Sequence, residues 1–487
     1  MNLGPAETGG RPTVSVVVAT YGRGPLIAPT LASIAAQCWV DFEVLVVSDS
    51  SPADGLEATV ATFGDHFRML VLPDRVGSQA GPNRLGWAQA RGDYIAYLGH
   101  DDVWHPDHLT SLLDAFAAMP EASFAVAGCI FGGPVGSDWY WVTGLFDADD
   151  RDAPSRFLFP PSSVAHLREL PEPVPVWGDP GTTKRPIDSQ FLLDAATAGH
   201  VFAPTGRITV IKPNSAMRYL SYRFPTAGEQ EVLLATVRDP ELFDAFVTNA
   251  VATARRTNRY LTITHDDVDT KPVGEWPKYF AQVRGTDPVA VAPLAGTQRI
   301  EPGDDERALD WGPLEHGDWR GRTGWRWSGP SPAPRLMIPF TAAGPVVVEV
   351  DVVAFADPGL AEQMVVLVNG EVAGHVWEAA PDGSGVLRIT APLLPDGPSV
   401  IEFRMPRTGE WIGRSDKSAT ARRADRIIAK VPQRWREALS GRVLANPGRL
   451  QTLARRTHDR VPVTVTSQPR RVGFALAGVT VSLAKQT

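Results

Sequence analysis

Two adjacent carboxylates, Asp101 and Asp102, stand in the stretch YLGHDDVW, directly after a strand-like apolar run and just before a helix-like one. Hard oxygen donors at the carboxyl end of a strand suit Mg²⁺ or Mn²⁺ carrying a diphosphate, because such an ion takes carboxylates together with substrate oxygens in an octahedral shell. Paired aspartates after a strand also serve as turn or capping groups, and spacing alone leaves both readings open. Asp49, in VVSDSSPADG, ends an earlier strand-like run in the same manner. It reads either as a turn residue or as a hydrogen-bond acceptor for a nucleobase or ribose. His100, next to the pair, is either an added ligand or a neutral packing group.

Distant acids can meet only if the elements before them run side by side. VSVVVA (14–19), FEVLVVS (42–48), FRMLVL (67–72), DYIAYL (93–98) and SFAVAGCI (123–130) are short, nearly continuous apolar runs rich in β-branched residues. Such runs are expected of parallel strands buried on both faces. Helix-like stretches alternate with them: Ile27, Leu31 and Ile34 at helical spacing, Pro82 to Ala90, and HLTSLLDAFAAM behind Pro106. The pattern predicts a doubly wound α/β domain, in which ligands bind beyond the carboxyl ends of the strands. Asp49, Asp101 and Asp102 fall there.

Composition narrows the function classes. With 487 residues, 43% hydrophobic and 21% charged, the chain has material for more than one core, and two to four domains are expected. A net charge of −8 offers no reason to expect nucleic acid. Only two cysteines occur, Cys38 and Cys129, and MNLGPAETGGRP has no apolar signal core, which together favour the reducing cytosol. No apolar run approaches the roughly 18 residues that would span a bilayer. Charge is uneven, however: residues 414–460 hold 13 Lys and Arg against 4 Asp and Glu, a local +9.

Residues 14–131 resemble a family 2 glycosyltransferase, inverting and with the GT-A fold. VSVVVATYGR is similar to the family's opening strand and turn, VVSDSS to its second-strand acidic motif, GSQAGPNRLGWAQARGDYIAYL to the asparagine-bearing helix and third motif, and HDDVWHPDHL to its metal-binding region. The likeness extends to about residue 245. It implies a nucleotide-sugar donor, first of all a UDP-sugar, held by Thr20, Tyr21, Arg23, Asp49, Gln79, Asn83 and Asp101, with Mn²⁺ or Mg²⁺ on Asp101 and Asp102. Where the family has Leu-Asp-x-Asp-Asp, Gly99 replaces the first acid and His100 stands between. One ribose or metal contact is thereby removed.

Inversion also needs a general base, which the resemblance places at Asp188 in WGDPGTTKRPIDSQFLLDAATAGHVFAP, with Asp179 second. Asp188 reads alternatively as a helix N-cap, and Asp147 is a further acceptor-loop acid. FPPSSVAHLREL resembles the strand and turn under the acceptor site. Lys212 and Arg218, in TVIKPNSAMRYLSYR, either neutralise the leaving diphosphate or are solvated surface cations. The chain lacks a Gln-x-x-Arg-Trp motif, so single addition to a glycan or lipid-linked acceptor, in cell-surface polysaccharide synthesis, is the expected reaction. The alternative is a catalytically weak, glycosyltransferase-like carbohydrate-binding protein.

Beyond a helical connector and linker (246–310), period-2 strands separated by Gly, Pro and Asn-Gly turns predict an all-β sandwich over 311–414 and 468–487, resembling the jelly-roll modules of bacterial glycosyltransferases. It is expected to be structural or to support a homo-oligomer, with glycan binding through Trp325, Trp327 or Trp377 as the other reading. The basic segment, 415–467, reads as a mainly helical insertion: either a solvated excursion or a peripheral contact with anionic lipid at the inner face of the cell membrane.

Overall fold

The computed structural model describes residues 10–51, 55–133, 139–174, 177–214, 221–222, 228–266, 271–284, 291–301, 311, 315–328, 333–406, 409–411, 470–472 and 474–484. The basic insertion at 415–467 and Arg218 lie outside the described residues.

The first domain is built on a nine-stranded mixed sheet. Its elements, in chain order, are β1 (Val14–Thr20), α1 (Ala28–Ala35), β2 (Phe42–Ser48), α2 (Leu56–Ala61), β3 (Phe67–Val71), α3 (Ala80–Gln89), β4 (Tyr94–Gly99), β5 (Val103–Trp104), α4 (His108–Ala118), β6 (Phe124–Gly132), β7 (Tyr140–Thr143), α5 (Ala153–Arg156), β8 (Val164–Leu167), α6 (Ile187–Thr197), β9 (Phe202–Pro213), α7 (Gly228–Arg238), α8 (Pro240–Arg256) and α9 (Glu275–Arg284). The spatial order is β3-β2-β1-β4-β8-β6-β9-β5, with β7 beside β6.

The first four strands pair in parallel as the apolar runs predict. β1 is central there. Val16 is aligned with Val44 and Ala96, which belong to a core on one face of the sheet. Val17 is aligned with Leu45 and Tyr97, which belong to a second core on the other. Continuous apolar runs are therefore required, since both faces are covered. Helix α3 packs closely on this half, and a Cβ at Gly86 would sit 2.3 Å from a Val17 methyl. Only glycine fits there.

The sheet is not wholly parallel. β8 lies between β4 and β6 and runs antiparallel to both, so the run at 123–130 does not pair with the fourth strand. The boundary expected at residue 245 also needs correction. α8 continues through it to Arg256, and the following residues join the first domain by the Val142–Tyr260 and Phe157–Thr264 bridges.

The second domain is a β-sandwich. A seven-stranded sheet centred on Pro345–Phe355 and Phe474–Leu483 faces a four-stranded sheet of Arg335–Ile338, Ser399–Arg404, Val365–Val368 and Glu371–Ala373. Along Pro345–Phe355, Val346, Val348, Val350 and Val352 are buried in one core with Ile338, Val366 and Phe403 of the other sheet. The residues between them are partly exposed, the alternation that two packed sheets demand. The long strands on either side of the basic insertion, Ser399–Arg404 and Phe474–Leu483, lie in different sheets. Gly409–Trp411 pairs antiparallel with Arg470–Val472 at the ends of that insertion.

Trp325 and Trp327 are core residues, packed with Trp319, Val353 and Ala475. Trp377 is partly buried edge-on against Phe355 at 5.3 Å. Burial takes the first two out of consideration as a glycan platform, because a stacked sugar needs an exposed ring face.

Candidate active site

The sheet register places the acids together. Thr20, the last residue of β1, is aligned with Ser48, and Ala19 with Gly99. The loops after β1, β2 and β4 thus leave the sheet along one edge, where a cleft of about 360 Å³ opens. Its lining includes Thr20, Tyr21, Asp49, Gln79, Asn83, Asp101, Asp188 and Lys212. Eight residues singled out in sequence therefore converge on one cavity. Arg23 and Asp102 are buried and outside the lining.

Asp49 is a buried organiser of the wall. Its carboxylate accepts the backbone N–H groups of Val76 and Gly77 at 2.7 and 2.8 Å, and its own N–H bonds the Thr20 carbonyl at 2.9 Å. This fixes the loop that carries Arg75, whose guanidinium stands 4.2 Å from the Tyr21 ring centroid. Arg75 lines the cleft, and sequence reasoning missed it because a lone loop arginine carries no motif. On the neighbouring loop, Thr20 Oγ1 and His100 Nδ1 are 3.2 Å apart, and the imidazole lies 4.9 Å from the Tyr222 ring.

The adjacent aspartates have separate surroundings. Asp101 is partly exposed and lines the cleft. Asp102 is fully buried: both its oxygens accept from Lys212 Nζ, at 3.1 and 2.9 Å, and Oδ2 also accepts from Ser162 Oγ at 2.5 Å. Burial pushes the Asp102 carboxyl up to about 6, with Lys212 pulling against it and Asp101 adding to it. Burial also opposes charge on Lys212, but the two carboxylates outweigh it and hold the ammonium above its ordinary range. Asp102, expected as a metal ligand, is in this arrangement hydrogen-bonded to Lys212 and Ser162 and lies behind the cleft wall. Lys212 in turn is neither a solvated cation nor free to swing.

Gly99 follows from this arrangement. A Cβ there would lie 2.6 Å from Asp102 Oδ2, so an acid at 99 and a buried Asp102 in this pose exclude each other. The Gly99 N–H also donates to Ser162 Oγ at 3.0 Å, and the turn is tied to α1 through Thr30 Oγ1, which donates to the His100 and Asp102 carbonyls.

Among the described residues no cluster of three or more His, Cys, Asp or Glu side chains could hold a metal by itself. Of the cleft-lining carboxylates, Asp49 is occupied by backbone N–H groups and Asp188 lies on α6, so Asp101 is the one that fits a cation whose remaining ligands are diphosphate oxygens and water.

Asp188 lies in the first turn of α6, where its carboxylate accepts the Ser189 N–H at 3.0 Å. It is not the N-cap: Pro186 holds that position. Asp179 is exposed and occupied as the cap of a short 3₁₀ turn, accepting the Gly181 N–H at 2.8 Å, and Asp147 is exposed. Neither belongs to the lining, which leaves Asp188 as the cleft acid on this side.

A doubly wound nucleotide-type sheet carrying its acids and a fixed cation at the strand ends defines a GT-A domain. Residues 15–166, within the first domain, match the family model described as Glycosyl transferase family 2. The succinoglycan biosynthesis protein ExoW of Rhizobium meliloti is 32% identical over 166 residues, covering 33% of this chain and 48% of that protein. Validoxylamine A glucosyltransferase of Streptomyces hygroscopicus is 33% identical over 132 residues, 26% of this chain and 31% of its own. The chain spans about half the length, or less, of these curated relatives. Among solved structures, S. aureus TarS 1-349 in complex with UDP-GlcNAc is similar at TM-score 0.33 and 18% identity, over 46% of this chain and 66% of that one. Mannosyltransferase PcManGT from Pyrobaculum calidifontis, in complex with GDP-Man and Mn²⁺, is similar at TM-score 0.31 and 20% identity, over 51% and 74%. Among the described residues no helix is long and apolar enough to cross a membrane.

Proposed function

We propose that the chain transfers a glycosyl group, with inversion, from a nucleotide-sugar donor to a hydroxyl of a glycan or lipid-linked acceptor in polysaccharide synthesis. The supporting observation is the cleft that gathers Asp49 and Asp101 from two loops, Asp188 from helix α6 and Lys212 from strand β9. In this reading Thr20, Tyr21 and Asp49 take the base and ribose. Asp101 holds Mn²⁺ or Mg²⁺ with the donor diphosphate, and the cation supplies charge neutralisation for the leaving group. Lys212, held by Asp102, adds a fixed positive charge to the same oxygens.

Asp188 accepts the proton of the acceptor hydroxyl while that oxygen forms its bond to the anomeric carbon. The bond from that carbon to the diphosphate breaks on the opposite side, so configuration inverts in one displacement. The experiment is a panel of UDP-, GDP- and dTDP-sugars with and without Mn²⁺, read by thermal shift and by nucleotide release. A ligand at about 100 times its dissociation constant stabilises by about 2.7 kcal/mol. Binding of no nucleotide in the panel would overturn the reading, and binding without turnover would favour a carbohydrate-binding role.

A further inference from the structure

The segment expected to be a connector contributes a wall of the cleft. Helix α9 presents Trp276, Tyr279 and Phe280 at i, i+3 and i+4, one face of a helix. All three line the cavity that holds Asp188, and all are only partly buried. None joins the hydrophobic cores of the described residues. They pack instead on one another, with ring centroids 5.4 to 5.6 Å apart. The Lys271 ammonium stands 3.9 Å from the Tyr279 ring and 5.2 Å from that of Trp276. Large aromatic surface kept out of the core and inside a cleft has a cost in water that a ligand can remove.

The helix is held in place relative to Asp188. The Trp276 indole N–H donates to the Lys184 carbonyl at 2.7 Å, and the Gly274 N–H to that of Thr183 at 2.9 Å. Gly274 has φ +75°, and a Cβ there would lie 2.7 Å from the Gly181 carbonyl oxygen, so this close approach needs glycine. Residues 181–184, the strip that α9 grips, run directly into α6 and its Asp188. Ahead of α9, His265 bonds both Ser189 Oγ, at 2.7 Å, and the Pro154 carbonyl, at 3.0 Å. The residue next to Asp188 is thus pinned by the same segment.

We infer that α9 is the acceptor platform: the aromatic face of Trp276, Tyr279 and Phe280 stacks the pyranose ring whose hydroxyl is presented to Asp188. A pyranose offers an apolar C–H face to aromatic rings, while Thr183 and Arg185, in the same lining, are polar partners for its hydroxyls. This rests on the transfer reaction proposed above.

The test uses the full chain and two readouts. Methyl and p-nitrophenyl β-D-glucosides and β-D-galactosides serve as probes, with binding followed by tryptophan fluorescence and transfer by nucleotide release; UDP and GDP binding with Mn²⁺ is measured separately by calorimetry. Phe280→Ala and Trp276→Ala should raise the acceptor KM, or the glycoside Kd, by about tenfold or more with kcat little changed. Their nucleotide affinity should stay within about twofold. Trp276→Phe keeps a ring and loses only the bond to Lys184, so it should recover most of the effect and guard against misfolding of the alanine variant. Unchanged acceptor KM in Phe280→Ala and Trp276→Ala, or wild-type protein that binds none of the glycosides, would overturn the platform. Loss of nucleotide binding in wild type would instead overturn the transfer reaction, while the glycoside titrations would still decide the platform.

Discussion

The two domains place their charges differently. In the first domain ionisable groups are carried inside: Glu43 is 2% exposed and bonded to Ser15, Arg68 and Arg91, and Asp102 is bonded to Lys212 and Ser162 with no exposure at all. Among the described residues of the sandwich no ion pair holds a fully buried acid: Arg388 between Glu349 and Glu378 is open to solvent, and Arg322 with Asp351 and Arg335 with Glu402 are only partly buried. Its main core cluster is wholly apolar, mostly valine, leucine, isoleucine and phenylalanine with Trp311, Met364, Met405 and Ala391. Taking a charge out of water costs several kcal/mol, and a fold that needs only stability avoids it. In the proposed reaction the buried pair stands where the cleft needs a cation that cannot swing, which would tie the cost to function. This contrast makes four predictions.

The largest effect is expected from breaking the buried pair on one side. Lys212→Met leaves the Asp102 carboxylate in the core with Ser162 as its remaining partner. That should cost about 3–5 kcal/mol of stability, read by urea denaturation, because an uncompensated buried charge remains. Lys212→Met combined with Asp102→Leu should recover most of the loss while nucleotide affinity stays low. A single variant within about 1 kcal/mol of wild type would mean that the pair contributes no such constraint.

Acid should unfold the first domain before the second. His166 and His108 are fully buried there, and burial holds their imidazoles down to about 4 and about 3. Each is neutral in the fold and gains a proton near 6.5 when unfolded, so the unfolded state binds more protons below 6.5 and stability falls as pH drops. His166 alone amounts to on the order of 3 kcal/mol once the pH is below about 4. Asp102 acts with the opposite sign between about 3.8 and about 6, where the folded carboxyl is the one that binds the proton. Its smaller displacement leaves the two histidines dominant. Tryptophan fluorescence and far-UV circular dichroism on acid titration would separate the domains, and simultaneous loss of both would contradict the assignment.

Next comes the chemistry. Asp188→Asn keeps shape and removes basicity, so kcat should fall by at least about 10²-fold while nucleotide affinity by calorimetry is retained. Near-normal turnover would remove Asp188 from the base role. Loss of nucleotide binding would move it to the donor side.

How much was legible in the sequence also follows this division. β1, β2 and β4 could be read within a residue because strands buried on both faces leave continuous apolar runs, and the edge strand β3 was read as well from the apolar FRMLVL although only Phe67 of it is fully buried. β8 was not read as a partner of β4, since its four residues, VAHL, carry no sign of which strands they will separate. The acids at 49, 101 and 188 and their shared cleft follow from strand ends and a resemblance, but the Asp102–Lys212 pair joins residues 110 apart and depends on the pairing of β9 with β6. No spacing rule signals such a contact. Helix α9 was hidden for another reason: its aromatics serve a cleft, and reading helices by their core-facing stripe passes over them. In the sandwich, alternation made the strands plain, yet the same tryptophans could be read as platform or core until burial decided for core at Trp325 and Trp327.

The smallest effect is expected where the sandwich carries its charges. Arg388 donates to Glu349 at 3.0 Å and lies beside Glu378, and its neighbours raise the guanidinium pKa still further, yet it is a surface network open to water and salt. Its arrangement resembles that of Lys212, one cation between two carboxylates, but solvent already satisfies each member when it is alone. Arg388→Met should therefore leave the urea midpoint of the sandwich unchanged within error at 0.15 M salt, the opposite of Lys212→Met. A clear loss of stability would show that the outer face is covered in solution, most simply by a second copy of the chain, and sedimentation of the wild type would then have to show that dimer. If it shows a monomer and the midpoint is unmoved, the contrast holds: equal charge patterns have unequal consequences because only one of them was removed from water.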